Sequence, residues 1–106
     1  MLAIKPEDRE RLVNELEVII NIAASVDFNE RICDALQINY FGCLRMMDLA
    51  SQCKNLNMYT HVSTCYVNCE KFGFIKEQIY DIPEDSEEII ANIMKMTPDE
   101  QDAKLL

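Results

Sequence analysis

Two hydroxyl side chains, Ser63 and Thr64, directly follow a short run of β-prone residues at positions 58–62. An open α/β sheet presents its ligands at the carboxyl ends of its strands, so hydroxyls at this place are candidates for chemistry. Such a hydroxyl can donate a hydrogen bond that orients a substrate carbonyl. A Ser-Thr pair after a strand is more often a turn feature that accepts from nearby backbone N–H groups. The pattern alone leaves both interpretations open.

A metal centre or a nucleophilic thiol in this stretch would have to use His61, Cys65 or Cys69. These residue types bind zinc, but no fourth ligand is spaced nearby and no cysteine pair has the usual two-residue separation. We therefore expect no metal. The single histidine can also activate a thiol, but the sequence does not show it in contact with any cysteine. His61 is interpreted as a structural residue of the strand.

Asn39 is a polar residue within an apolar pattern that recurs at steps of three and four residues through positions 30–53. The apolar members of this pattern are Ile32, Ala35, Leu36, Tyr40, Cys43, Met47 and Ala50. We expect this face of a long helix to pack on a sheet. A buried amide lowers stability unless it is hydrogen-bonded, so Asn39 is either a core residue satisfied by local backbone or an active-site group.

The elements that must position these side chains follow a strand, helix, strand order. The β-branched run at positions 17–24 predicts a central parallel strand covered on both faces. Positions 30–53 predict the long helix and 58–62 the next strand, so the two strands should be joined by a right-handed parallel crossover. Before them, positions 5–15 predict a short surface helix with Pro6 near its start.

The last third of the chain predicts less regular structure. Positions 69–73 are loop-like, and positions 75–82 predict a short extended or irregular arm. A helix is predicted over positions 86–96, with Asp85 or Ser86 as its cap. Thr97 followed by Pro98 predicts a further helix start. The fold class is therefore α/β, a partial parallel sheet with flanking helices.

Length, charge and cysteine content limit the possible functions. The 106 residues suffice for one small domain, and 19 acidic against 10 basic residues give a net charge of −9, which opposes binding to nucleic acid through a basic patch. Five cysteines, with no apolar signal segment before them, predict reduced thiols in an intracellular, reducing compartment. The longest apolar stretch, around positions 18–24, is far below the roughly 18–20 residues of a membrane span.

Several segments, by their order and spacing, resemble the fatty acyl-CoA reductases of the extended short-chain dehydrogenase/reductase superfamily. The segments are Ile20-Asn-Ile-Ala-Ala-Ser-Val-Asp-Phe-Asn-Glu30, Asp34-Ala-Leu-Gln-Ile-Asn-Tyr-Phe-Gly-Cys43, Lys54-Asn-Leu, His61-Val-Ser-Thr-Cys-Tyr-Val-Asn68 and Glu77-Gln-Ile-Tyr80. The resemblance implies that residues 1–106 are the central part of a Rossmann-type domain that binds NADPH. It also implies reduction of a long-chain fatty acyl-CoA to a primary alcohol through an aldehyde, and association with the endoplasmic reticulum or peroxisome.

The same resemblance implies roles for individual residues. Ala23 and Ala24, at the end of the first strand, would lie beside the cofactor. Asn39 would help to form the proton relay of the active site. Ser63 or Thr64 would donate a hydrogen bond to the reacting carbonyl, and the position of the hydroxyl residue in related reductases favours Thr64.

Two parts of the family pattern are absent from these residues. Neither glycine lies in a glycine-rich turn between a strand and a helix, and no tyrosine has the lysine of a Tyr-x-x-x-Lys pair. We therefore expect a fragment of an alcohol-forming fatty acyl-CoA reductase that is inactive as an isolated chain. The alternative is a non-catalytic, reductase-derived subunit that uses its incomplete sheet edge to join a partner chain.

Overall fold

In the computed structural model, residues 2–103 are described, and they form two compact units. The first comprises the residues up to Glu30 together with Asp34–Val62, and the second comprises Arg31–Cys33 together with the residues from Ser63 onward. No helix within the described range is long and apolar enough to cross a bilayer.

The chain of the first unit opens with helix α1, Pro6–Glu15, which confirms the predicted surface helix. Proline fits the first turn because its missing N–H would have no partner there, and Glu7 and Asp8 favour the positive end of the helix dipole. None of the residues of α1 is buried.

Two short strands form the sheet of the first unit. Strand β1, Val18–Asn21, pairs in parallel with strand β2, Met58–His61, in the register Val18 with Met58 through Asn21 with His61. The predicted parallel pair is confirmed. The fold of the described residues is thus α/β, with a two-stranded parallel sheet and flanking helices.

The prediction that the first strand is covered on both faces is wrong for this chain. Ile19 and Asn21 are each 6% exposed, whereas Val18 and Ile20 on the opposite face are 46% and 58% exposed. Helix packing covers one face of the strand only, so burial alternates along it. A run of β-branched residues does not reveal this difference, because the outward Val18 and Ile20 are as apolar as the inward Ile19.

A nearly uninterrupted helical path follows β1 and confirms the predicted long helix. It consists of helix α2, Ile32–Ala35, a π-helical turn, Leu36–Tyr40, and helix α3, Phe41–Gln52. Arg9 of α1 ties this path to the first helix, since its Nη2 donates to Asp48 Oδ2 at 3.0 Å and to Gln52 Oε1 at 3.2 Å.

The packing face of α3 differs from the predicted one. Leu49, at 2% exposure, is buried, whereas Met47 of the predicted stripe is 55% exposed. The reason is that α3 carries apolar side chains on several sides, Leu44 and Met46 among them, so its periodicity does not define one packing face.

The second unit has little regular structure before its two helices. A 3₁₀ turn, Cys65–Asn68, is followed by irregular chain through the predicted arm at positions 75–82. Helix α4, Ser86–Ile93, is capped by Asp85, whose Oδ1 accepts from the backbone N–H groups of Glu87 and Glu88 at 3.0 and 3.1 Å. The predicted cap and helix are confirmed.

Helix α5, Pro98–Ala103, begins at the predicted Pro98. Thr97 precedes it and forms a reciprocal cap at its N-terminus. The backbone N–H and the hydroxyl of Thr97 donate to Glu100 Oε2 at 2.8 and 2.9 Å, and the N–H of Glu100 donates to Thr97 Oγ1 at 3.4 Å. The backbone bond from Thr97, followed by the bond from its side chain, lowers the pKa of Glu100. The cap therefore depends on the ionised carboxylate.

We expect α5 to lose this cap as the pH falls. Because the folded pKa of Glu100 is lowered, its stabilisation is fully present above the pKa of an unfolded glutamate, about 4.3, and is lost as the pH falls through the lower folded value. The amide chemical shift of Thr97, followed by NMR across this range, measures the change. Glu100→Gln should remove the pH-dependent step and Asp99→Asn should retain it. A step that survives Glu100→Gln would contradict the assignment.

Candidate active site

The carboxyl ends of the two strands bring Asn21 and His61 together at one edge of the sheet. These residues are register partners, and the N–H of Val62 continues the pairing by donating to the carbonyl of Asn21 at 2.9 Å. The segments that carry Ala23 and Ser25 therefore leave β1 at the edge where ligands of parallel sheets bind.

Asn39 is exposed, so of the two interpretations of this residue the structure contradicts the buried core asparagine and leaves the active-site role as a prediction. Its side chain is held by the backbone of Ser25, whose N–H donates to Asn39 Oδ1 at 2.8 Å and whose carbonyl accepts from Asn39 Nδ2 at 3.1 Å. These two bonds fix the orientation of the amide. They leave one N–H and one oxygen lone pair of Asn39 to interact with a ligand.

The π-helical turn explains why the direction of Asn39 differs from the expectation. A helical wheel assumes 3.6 residues per turn. A π-helical turn instead joins residues five apart by hydrogen bonds, so its side chains do not point in the directions that the wheel predicts. Asn39 lies in this turn, and its own carbonyl accepts from the thiol of Cys43 at 2.9 Å. Isolated π-helical turns occur frequently at functional sites.

Ser63 and Thr64 are both exposed, and their surroundings differ. Thr64 Oγ1 accepts from the N–H of Tyr66 at 3.2 Å and so caps the 3₁₀ turn, Cys65–Asn68. This is the turn interpretation of the pair, but the hydroxyl proton of Thr64 is still free to be donated. Across the described part of the chain, the Ser63 hydroxyl makes no hydrogen bond. The hydrogen bond from the Tyr66 backbone therefore restricts the hydroxyl oxygen of Thr64, but not that of Ser63.

Ala23 and Ala24 follow β1 in chain without regular secondary structure, and both are exposed. Ser25, the next residue, is half-buried and is bound through both of its backbone polar groups by Asn39. The helix thus anchors the segment that carries the two alanines.

A contact between Cys43 and His61 was not predicted from the sequence. Cys43 Sγ lies 3.9 Å from His61 Nδ1 and 3.8 Å from His61 Nε2. The sequence offers Cys65 and Cys69 beside His61 as metal ligands, but it assigns no cysteine as the thiol partner of the imidazole. Cys43 belongs to the apolar pattern of positions 30–53, which predicts that it faces the sheet but does not identify the strand residue that it contacts.

All five cysteines are free thiols. Nowhere within residues 2–103 do three or more histidine, cysteine, aspartate or glutamate side chains come together in a group that could hold a metal ion.

Comparison with known proteins places these residues in a family. An NAD-binding family described as male sterility protein matches residues 1–104. The chain belongs to this male sterility protein family. The match includes the whole range that holds the candidate residues, from Ala23 to Thr64. It supports a nicotinamide cofactor for the domain.

Several curated proteins that are similar to this chain are named fatty acyl-CoA reductases. Fatty acyl-CoA reductase 1 of Rattus norvegicus is 38% identical over 92 residues, and that of Homo sapiens is 37% identical over 92 residues; both matches cover 87% of this chain and 18% of the relative. The alcohol-forming fatty acyl-CoA reductase of Simmondsia chinensis is 40% identical over 72 residues, which cover 68% of this chain and 15% of the relative. The resemblance to fatty acyl-CoA reductases is thereby confirmed.

The family match covers a part of a longer protein in these relatives. The chain spans 18% of the length of the rat and human proteins. No solved structure matches the chain significantly.

The residues of this male sterility family chain do not form a complete site for a nicotinamide cofactor. Within residues 2–103 the only backbone with positive φ is Gly73, and a Cβ added there would meet nothing within 4 Å, so no close cradle surrounds it. Gly42 lies inside α3, where an added Cβ would make an ordinary contact at 3.7 Å with the carbonyl of Gln37. Neither glycine can hold a diphosphate at a helix N-terminus. Ala23 and Ala24 are exposed after β1, but the described residues include no glycine-rich turn that could bind a diphosphate.

Proposed function

We propose that this chain is the central part of a Rossmann-type domain in an alcohol-forming fatty acyl-CoA reductase. The complete protein would reduce a long-chain fatty acyl-CoA to a fatty alcohol with NADPH. The observation that carries this proposal is the family match over residues 1–104, together with relatives that are named fatty acyl-CoA reductases. The parallel strand pair with a helix across it supports the same proposal.

The hydroxyl after β2 would act on the carbonyl of the substrate. When a thioester or aldehyde carbonyl is reduced, negative charge develops on its oxygen, and a fixed hydrogen-bond donor stabilises that charge. Thr64 suits this task because its oxygen already accepts the N–H of Tyr66, which holds the group in place and leaves the proton available. Ser63 is the alternative donor, one residue earlier in the chain.

Asn39 would serve the site in two ways. Its bonds to Ser25 hold the segment with Ala23 and Ala24 in place, where the proposed cofactor ring would lie. Its remaining N–H and lone pair can relay a proton through an ordered water. The proton donor itself, a tyrosine paired with a lysine four residues later, is not among these 106 residues.

We expect the isolated 106 residues to show no NADPH-dependent reduction of palmitoyl-CoA, because this sequence lacks the proton donor and the diphosphate grip. The protein expressed from the complete coding sequence should convert palmitoyl-CoA and NADPH to a fatty alcohol, detected by mass spectrometry. Robust turnover by the isolated chain would overturn the fragment interpretation. A complete protein that binds NADPH but forms no alcohol would overturn the reductase proposal.

A second candidate, a reductase-derived subunit without catalysis, is favoured by the open face of the sheet. Val18, Ile20, Ile22 and Met58 are 46%, 58%, 69% and 46% exposed. Such a face requires a cover, either further residues of the same protein or a partner chain. The coding sequence separates the two candidates. A glycine-rich turn encoded upstream and Tyr-x-x-x-Lys encoded downstream favour the reductase, whereas start and stop codons at the ends of this chain favour the subunit.

A further inference from the structure

Three side chains of the first unit form a cluster that the proposed reduction does not use. This thiol cluster consists of Cys43, His61 and Asn21. Asn21 and His61 are the last residues of β1 and β2 and are register partners, while Cys43 lies on α3, which packs on β1. The cluster combines residues from two strands and a helix, so it forms only when the chain is folded.

Asn21 holds the other two members of the thiol cluster. It is 6% exposed, and its Nδ2 lies 3.3 Å from His61 Nδ1 and 3.6 Å from Cys43 Sγ. An amide nitrogen only donates, so Nδ1 of the neutral imidazole accepts and Nε2 carries the proton. The second N–H of the same amide is directed to the sulfur. A negative charge on Cys43 would therefore have a buried N–H donor beside it.

His61 supplies a proton acceptor for the thiol. Cys43 Sγ lies 3.9 Å from His61 Nδ1 and 3.8 Å from His61 Nε2. A turn of the ring that exchanges the Asn21 N–H for the S–H group lets the unprotonated Nδ1 accept the thiol proton. In the present arrangement the thiol donates to the carbonyl of Asn39 at 2.9 Å. Cys43 is half-buried and His61 is exposed, so a small reagent can reach the pair from solvent.

We propose that Cys43 is a modification site at which a small-molecule disulfide of the glutathione type exchanges onto the thiol. A cysteine with an adjacent base and an orienting amide has the parts of an activated nucleophile. Disulfide exchange needs a thiol, an acceptor for its proton and an approach from solvent, and the thiol cluster provides all three. Metal binding is not favoured, because no third histidine, cysteine, aspartate or glutamate of residues 2–103 joins Cys43 and His61 in a group that could hold a metal ion.

The exchange balances without any further reagent. His61 takes the proton of Cys43, and the thiolate attacks one sulfur of the disulfide. The bond between the two reagent sulfurs breaks as the bond from Cys43 to the attacked sulfur forms. The second reagent sulfur leaves with the electron pair and takes up the proton from His61. Cys43 is thereby oxidised to a mixed disulfide, and one reagent sulfur is reduced to a thiol.

Cys53 is a matched control within the same molecule. It follows α3 directly and is half-buried, and its thiol donates to a backbone carbonyl, that of Leu49, at 3.4 Å. It has no histidine within hydrogen-bonding distance. A difference in reactivity between Cys43 and Cys53 therefore reports the contribution of His61 and Asn21.

The test treats the reduced complete protein with oxidised glutathione, stops the reaction with acid and maps the modified cysteines by peptide mass spectrometry. Cys43 should be modified at least about tenfold faster than Cys53, since base catalysis typically contributes more than this. It should also react faster than the exposed Cys65 and Cys69. In urea, which unfolds the cluster, Cys43 should be modified no faster than the other cysteines. A folded chain in which Cys43 reacts no faster than Cys53 overturns the proposal.

The variant His61→Gln separates the contribution of the imidazole base to the rate at Cys43 from the contribution of the other residues around the thiol. Glutamine can still accept the amide N–H of Asn21 but is a far weaker base, so the rate at Cys43 should fall to that of Cys53, while the rate at Cys53 stays unchanged. Circular dichroism checks that the variant is folded. A rate at Cys43 that persists in the folded variant contradicts the role of His61. Should the variant unfold, the comparison of Cys43 with Cys53 in the unsubstituted chain decides the proposal.

Discussion

Replacing Thr64 by alanine in the complete protein should lower kcat about 10²–10³-fold, the usual effect of removing one donor from a developing oxyanion. The Thr64 hydroxyl is the better-positioned of the two candidates, because the N–H of Tyr66 fixes its oxygen at 3.2 Å while its proton remains free. Steady-state kinetics with palmitoyl-CoA and NADPH measure the loss. KM for the acyl-CoA should change little, because the donor acts mainly in the transition state.

Two matched variants distinguish catalysis by Thr64 from its capping role. Thr64→Ser keeps both the hydroxyl and the cap of the 3₁₀ turn, so its kcat should stay close to that of the unsubstituted protein. Ser63→Ala leaves the cap in place and should also have a small effect. The reverse order of effects would assign the donor role to Ser63. If Thr64→Ala lowers the free energy of unfolding but not kcat, Thr64 is a cap only.

The order of elements could be predicted because each one carries a local signal. Pro6, Asp85 and the pair Thr97–Pro98 mark helix starts by their fit to the first turn. The β-branched run that contains β1 marks a strand without help from distant residues. These signals depend on neighbours in sequence, so they can be read directly from the chain.

The directions of side chains within those elements could not be predicted in the same way. Met47 and Leu49 are two residues apart on a helix with apolar side chains on several sides, and tertiary packing of that helix decides that Leu49 is buried. Asn39 points to the backbone of Ser25 because of a π-helical turn, which no residue type in that turn announces. Local geometry and tertiary packing determine both outcomes.

The contact between Cys43 and His61 could not be predicted because it depends on the crossing of separate elements. The two residues are 18 positions apart, and their approach follows from the parallel register of the strands and from the packing of α3 on β1. The sequence alone does not show which of the five cysteines contacts His61. Chemistry formed across elements needs the fold before its residues can be named.

Replacing Asn39 by alanine should lower kcat/KM for NADPH in the complete protein by roughly 10²-fold, the scale expected when a positioning contact is lost. The two bonds between Asn39 and the backbone of Ser25 hold the segment that carries Ala23 and Ala24. Each such bond contributes about 0.5–1.5 kcal/mol, so their loss should release the segment locally without unfolding the sheet. Faster hydrogen exchange at the Ser25 amide, measured alongside the kinetics, would report that release.

Gln37 provides the control, because it is an exposed amide in the same π-helical turn. Its Oε1 accepts from Arg45 at 2.9 Å and does not contact the segment after β1, so Gln37→Ala should leave both measurements unchanged. Asn39→Asp keeps an oxygen for the Ser25 N–H but cannot donate to the Ser25 carbonyl, so it should fall between the alanine variant and the unsubstituted protein. If Asn39→Ala alters kcat alone while Ser25 exchange and KM for NADPH stay constant, Asn39 serves the proton relay and its bonds to Ser25 do not position the cofactor.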